Sequence, residues 1–287
     1  MASDTLKEGL RAMALNSVNT NMGAMIALQN LQSTNDELAT VQNRINTGKK
    51  VNSAKDNGAV WAIAQGQRAE MGALNAVKDS LQRGQSAVDV GIAAGETVSD
   101  LLSQMKEKAL AATDASLTTA ARNALNEDFV AMRKQIASTV SNAKFNGVAV
   151  ISGTAGFKAL ANTGGSTTID IAAENMTLSG SVVTLSSSAQ ITTRTMAQAR
   201  LAAVNTSIDN VSASLARLGT GSKALGTHLS FVGKLQDTIE SGIGNLVDAD
   251  LAKESARLQA LQTKQQLGVQ ALSIANSSTS ILLGLFR

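Results

Sequence analysis

The sequence predicts a mainly α fold: a long antiparallel coiled-coil helical rod carrying a small β insert. Three observations predict it. Apolar residues recur every seven positions through the C-terminal half, proline is absent, and the aromatics are five Phe and one Trp with no Tyr. A globular core for 287 residues ordinarily draws on many aromatics, because each buries a large area. Small and straight-chain side chains instead suit thin seams between helices. Without proline, nothing forces a kink or a stop in a long helix, and no X-Pro isomerisation slows an unfolding and refolding cycle.

Taken in order, the first amphipathic stripe is Leu28, Leu31, Leu38, Val41 and Ile45. Thr47-Gly48 is a plausible left-handed stop for that helix. A polar turn region follows through Asn52, Ser53, Asp56, Asn57 and Gly58. Trp61 then sits in an apolar patch, Val60 to Ala64, where it is expected to anchor packing. A second long stripe runs through Leu74, Val77, Leu81, Val88, Val98, Leu102 and Met105, with Gly84, Gly91 and Gly95 at the missing seam positions. Glycine there costs about 1 kcal/mol of helix stability each but permits close helix approach. A third helix is predicted from about Thr119 through Leu125, Phe129, Met132, Ile136 and Val140.

Between Ala143 and Thr195 the composition turns to Ser, Thr and Gly with little charge. Short β-like runs occur at Val148 to Ile151, Thr167 to Ile171 and Val182 to Leu185. This insert is too small and too poor in aromatics to be a catalytic domain.

The strongest periodicity follows. Val204, Val211, Leu218, Leu225, Val232, Ile239 and Leu246 recur without a miss, with Leu201, Ile208, Leu215, Ser222, Leu229, Gln236 and Ile243 at the second seam position. So many heptads predict a coiled-coil helix of roughly 65 Å. Ser222 and Gln236 either fix the register or are tolerated beside small neighbours. Near Asp248 the phase slips, and Leu251, Leu258, Leu261 and Leu272 carry a looser stripe towards Arg287. Such a slip marks a boundary between two helical segments with different partners.

A search for catalytic chemistry finds no constellation. There is no Cys, so there is neither a disulfide framework nor a thiolate site. His228 is the one histidine; beside Leu229, it reads as a flank residue of the coiled coil rather than a base or ligand. Gly219-Thr220-Gly221-Ser222-Lys223 lacks the spacing of a phosphate loop, and the heptad passes straight through it. Asp248, Asp250 and Glu254 could hold a cation, but Lys253 and Arg257 among them favour an ion-paired helix face. The expectation is no enzyme, no metal and no cofactor. The net charge of +3 is spread among acids, which argues against nucleic acid. No run is apolar for long enough to insert in a membrane, and residues 1–12, with Asp4, Lys7, Glu8 and Arg11, lack a signal-peptide core.

Several motifs fall in a familiar order. They are Val18-Asn19-Thr20-Asn21; Arg44-Ile45-Asn46-Thr47-Gly48 through Asn52-Ser53-Ala54-Lys55-Asp56; Ala62-Ile63-Ala64; and Lys144-Phe145-Asn146-Gly147. Phe157 to Ile171 follows, with Ala161-Asn162-Thr163-Gly164 and Ile169-Asp170-Ile171, then Ile243-Gly244-Asn245-Leu246, Asp248 to Glu254, and Gln270 to Asn276. Over nearly the whole chain this resembles bacterial flagellin, though without the family's usual large outer domains. The resemblance implies a structural subunit that is exported unfolded and polymerises into the extracellular flagellar filament for swimming motility.

It further implies that residues 13–53 and 247–287 form an inner tube domain of paired terminal helices. Residues 54–246, with the insert at 143–195, would form the outer helical domain, and residues 1–12 an extension, translation starting at Met13. Self-assembly would then fall to Leu28, Leu31, Leu38, Val41, Ile45, Leu251, Leu258, Leu261 and Leu272. The implied partners are other copies in a helical homopolymer, other flagellins, the flagellar type III export apparatus with its chaperone, and the filament cap and hook–filament junction proteins.

Two further expectations come from the resemblance. Thr154, Ser166, Thr167, Thr168, Thr177, Ser179, Ser181 and Thr184 are candidates for O-glycosylation; a native-filament mass equal to the bare sequence would exclude it. Positions equivalent to an animal innate receptor's contacts carry Gln104, Lys108 and Ala111 where activating flagellins have Arg, Leu and Gln. Loss of the Arg anchor implies weak stimulation, which a receptor-reporter assay on depolymerised subunit tests. Rival readings are a hook–filament junction protein, which shares the terminal helices, and a coiled-coil signalling rod, which needs a membrane span and a hairpin tip.

Overall fold

A computed structural model of the chain describes residues 20–153 and 155–284, with side chains described through residue 277. The extension at 1–12, the start at Met13, the Val18-Asn19 part of the opening motif and Thr154 lie outside the described residues. Five helices occur among the described residues: α1 (Met22–Thr47), α2 (Gly58–Ala112), α3 (Thr119–Asn142), α4 (Arg194–Val247) and α5 (Leu251–Gly284). Strands β1 (Phe157–Leu160) and β2 (Thr168–Ile171) form one antiparallel pair in which Phe157 faces Ile171 and Leu160 faces Thr168. The expected mainly α fold with a small β insert is thus the observed one. No described helix is long and apolar enough to cross a membrane.

The chain forms two compact units. One comprises the described residues up to Arg68 together with those from Ser241 onward; the other is Ala69–Glu240.

In the first unit α1 packs along α5. Asn21 starts α1: its Oδ1 accepts from the Ala24 amide at 2.9 Å, while its Nδ2 donates to the Ala275 carbonyl of α5 at 2.8 Å. The helix ends where Gly48 takes the left-handed conformation (φ +69°), as Thr47-Gly48 predicts. The backbone just past this stop is held by the break between α4 and α5. The Lys50 and Val51 amides donate to the Val247 carbonyl at 2.7 and 3.2 Å, and the Ala249 amide donates to the Gly48 carbonyl at 2.9 Å. The phase slip near Asp248 is this break. Asp250 then starts α5 by accepting from the Ala252 and Lys253 amides at 3.0 and 3.1 Å. In the polar turn, the Asp56 carboxylate accepts from the Asn52 and Ser53 amides at 3.0 and 2.9 Å. Those amides hold its carboxyl below the ordinary range.

In the second unit a hydrophobic core joins α2, α3, α4 and the insert. Val204, Val211, Leu218, Leu225 and Val232 are all buried and Ile239 is half-buried, as is Leu246, which continues the line into the first unit's part of α4. Helix α4 has a seam on each side of that line. Towards α2 lie the expected second positions: Leu215 fits against Gly95, Ser222 Oγ donates to Asp89 at 3.3 Å, and Gln236 Nε2 donates to Asn75 at 2.8 Å. Both polar seam residues thus bond across to α2.

The other seam was not read from the sequence. Ser207, Ser214, Gly221 and His228 also repeat every seven residues, and they face the insert. Ser207 Oγ accepts from the Thr184 amide at 3.1 Å, Ile171 fills the space beside Gly221, and His228 Nε2 lies 2.8 Å from the Ala161 carbonyl.

Two expected strands need correction. Val148 to Ile151 and Val182 to Leu185 form no strand: both runs are bent, and Val148 makes only an isolated bridge with Phe145. Their Val150, Ile151, Val182, Val183 and Leu185 side chains are buried, which is what their apolar, β-branched composition reported. Their backbones are satisfied singly: the Val150 and Ile151 carbonyls accept from the Glu174 and Met176 amides at 2.8 and 2.9 Å. The seam glycines of α2 also do more than admit a helix. A Cβ on Gly84 would lie 2.5 Å from the Phe157 ring, one on Gly91 would overlap Val150, and one on Gly95 would come within 2.7 Å of Leu215. Two of the three therefore make room for the insert.

Candidate functional site

The residues with chemical potential are occupied with structure. His228 is half-buried between a backbone carbonyl and the Phe231 ring, whose centroid is 5.7 Å away. Gly219 to Lys223 lie within the helical α4, so their amides are not gathered as in a phosphate-binding loop. Of the acidic trio at the α4–α5 break, Asp250 caps α5 and Glu254 pairs with Arg44 at 3.2 Å. No group of three or more His, Cys, Asp or Glu among the described residues is placed to hold a metal ion.

What stands out is apolar surface on the first unit. The inner side of the α1–α5 pair buries Thr34, Val41 and Leu261, with Leu31, Leu38, Ile45, Leu258 and Leu272 half-buried. Leu31 lies against Gly268, where a Cβ would sit 3.2 Å from its Cδ1. Gln265 donates to Asn35 at 2.7 Å, and Arg257 pairs with Glu37 at 3.9 Å. Leu28 and Leu251, expected on the same stripe, are instead exposed.

They are joined by Met22, Met25, Ile26, Leu267, Val269 and Ile274, which are about half exposed or more, Ile274 reaching 69%. Met22, Met25 and Ile26 are spaced three and four apart, so they form one outward stripe over the first turns of α1. A groove of about 610 Å³ between the two helices is lined by Ile26, Ala27, Leu31, Leu267, Ala271 and Ala275. A helix pair with apolar residues on both sides cannot bury them alone, and contiguous exposed apolar surface marks an interaction site.

In the second unit Gln104 and Ala111 are exposed, while Lys108 pairs with Asp128 at 2.7 Å. Of the candidate modification positions, Ser166, Thr167, Thr168, Ser179, Ser181 and Thr184 are exposed; Thr177 is half-buried and donates to Asn175 at 2.6 Å.

One polar cluster escaped sequence reasoning. Glu174, only 8% exposed on its side chain, accepts from Arg217 Nε and Nη2 at 2.6 Å each and from Ser214 Oγ at 2.8 Å. The Arg217 guanidinium, with Ser214 adding, holds the Glu174 carboxyl below its ordinary range against the opposing effect of burial. The bonds pin the insert to α4. The only signal was an acid amid apolar neighbours in an almost uncharged segment.

Comparison with known proteins agrees with this architecture. Residues 18–156 match the family model for the bacterial flagellin N-terminal helical region, and residues 201–286 match that for the C-terminal helical region. Flagellin FljM of Caulobacter vibrioides is 60% identical over 276 residues, covering 96% of this chain and all of that protein. A flagellin of Brucella melitensis is 37% identical over 293 residues, covering 94% and 99% of the two chains. Among solved structures, one assigned as a flagellar hook-associated protein of Vibrio parahaemolyticus aligns at a TM-score of 0.55. At 14% identity it covers 67% of this chain and all of that one, a likeness of fold alone. Matched over 96% of its length by a flagellin at this identity, the chain belongs to the bacterial flagellin family, the non-enzymatic structural subunits of the flagellar filament.

Proposed function

We propose that the chain leaves the cell unfolded through the flagellar type III export apparatus, escorted by an export chaperone, and folds at the filament tip beneath the cap. There α1 and α5 lay their outward apolar faces against the same helices of neighbouring copies, forming the inner tube of an extracellular filament. The observation that carries this reading is the exposed stripe of Met22, Met25 and Ile26, with Leu267, Val269 and Ile274, on a helix pair that buries few apolar side chains. Amphipathic segments that cannot bury their apolar faces alone order on binding. Head-to-tail contacts that do not close give a helical polymer. The absence of proline removes one slow step from refolding after export.

Deleting Leu261 to Arg287 removes much of α5 while sparing the heptads of α4. The expected product is a soluble, helical subunit that forms no filaments under conditions where the full chain does. Normal filaments from the truncated chain would overturn the reading. A copy count in purified flagella separates a filament subunit, present along the whole filament, from a junction protein present in few copies.

A further inference from the structure

We propose that Met22 and Met25 are sites of oxidative modification that control whether a subunit can assemble; this rests on the end-helix pair being the assembly surface. Met22 and Met25 sit on the outward stripe of α1, 47% and 59% exposed as residues, whereas Met105 and Met176 are fully buried in the second unit. They flank Gly23-Ala24 and precede Ile26, so two of the three large side chains on this stripe carry sulfur. Methionine is the apolar side chain that an external oxidant can convert to a polar one without breaking the chain.

The chemistry balances with a peroxide as oxidant. A sulfur lone pair attacks one oxygen of hydrogen peroxide, the O–O bond breaks with its electron pair going to the departing hydroxide, and the proton of the transferred oxygen passes to that hydroxide, which leaves as water. Sulfur is oxidised by two electrons to the sulfoxide as peroxide is reduced. The product places a strongly hydrated S=O dipole where the neighbouring subunit requires an apolar surface, and burying it without a partner is unfavourable. Oxidation therefore removes damaged subunits from assembly, and a subunit already packed in a filament is shielded from the oxidant. Met196, 45% exposed on α4 of the second unit, is an internal control: it is open to oxidant but belongs to neither α1 nor α5.

The test treats the full-length subunit with dilute hydrogen peroxide, maps sulfoxides by peptide mass, and follows polymerisation by light scattering. Met22 and Met25 are expected to gain oxygen well before Met105 and Met176, and elongation to slow by about tenfold or more. Peroxide should leave the Met22→Leu/Met25→Leu variant at its own untreated rate, although Met196 is still oxidised. The Met22→Gln/Met25→Gln variant, which carries a permanent polar group, should assemble poorly without any oxidant. Equal oxidation of Met105 and Met176, or equal inhibition of the leucine variant, overturns the proposal and leaves the assembly reading intact. Normal assembly of the glutamine variant overturns the assembly reading itself, and the proposal with it.

Discussion

Gly91 and Gly219 both lie inside long helices, yet alanine should act oppositely on them. A Cβ on Gly91 would overlap Val150 of the insert, whereas one on Gly219 meets nothing within 4 Å. Gly91→Ala should therefore lower the subunit's stability by about 1–3 kcal/mol through overpacking. Gly219→Ala should raise it by about 1 kcal/mol, because an exposed helical glycine carries only its entropic cost. Urea denaturation of the two variants checks both, and two shifts of the same sign would refute the contrast. At Glu174, Arg217 and Ser214 hold the folded-state carboxyl below its ordinary value. A depressed pKa contributes stability that is complete above the unfolded-state value, about 4.5, and is lost as pH falls through the lower folded-state value. Because Arg217 is 59% exposed, solvent screens the pair. Glu174→Gln should cost about 1–2 kcal/mol at pH 7 and shrink the stability lost between pH 5 and pH 3. An unchanged acid profile in that variant would assign the loss to other carboxylates.

Helices were legible in the sequence because their signals are local and repeat. The heptad from Val204 to Val232 predicts a buried line on α4, and all five residues are buried. The Thr47-Gly48 stop and the slip at Asp248 mark real helix ends for equally local reasons. Contacts joining distant segments were not legible. Ser207, Ser214 and Gly221 look like ordinary small helix residues until the insert lies on them, and Glu174 is 43 residues from Arg217. The runs at Val148 and Val182 misled because β-branched burial and ladder pairing share one composition. In the end-helix pair, the apolar stripe was visible, but its division between an inner and an outward side was not: Leu28 and Leu251 stay exposed beside buried Val41 and Leu261. Truncations on α4 and α5 should separate these roles. Leu225→Ala, at a fully buried site, should lower subunit stability by about 2–5 kcal/mol. Leu251→Ala, at an exposed one, should change it by no more than about 0.5 kcal/mol while slowing filament growth. A Leu251→Ala subunit that polymerises at the normal rate would remove that residue from the assembly surface.

At the scale of the whole molecule, stability should be distributed unevenly between the two compact units. The contiguous hydrophobic core, from Leu74 through Phe129 and Leu185 to Val232, belongs entirely to Ala69–Glu240. The first unit buries far less: Val41, Val51, Ala64, Ile243, Val247 and Leu261 are its buried apolar side chains among the described residues. Backbone hydrogen bonds within a helix do not compensate for missing tertiary burial, since helical stability in proteins comes mainly from packing an apolar face. Segments with few buried contacts open at low free-energy cost, and a partner that binds only the folded form stabilises them. Hydrogen exchange on the free subunit should therefore show α1 and α5 poorly protected, while amides around Val88, Phe129 and Leu218 exchange slowly. On polymerisation the α1 and α5 amides should slow by about a hundredfold or more, with much smaller changes in Ala69–Glu240. This pattern would fit the proposed export, because the elements that join the filament would gain their stability at the point of assembly. Should α1 and α5 be as well protected in the free subunit as the second unit's core, folding on assembly would be excluded, and the exposed apolar stripe would need another explanation.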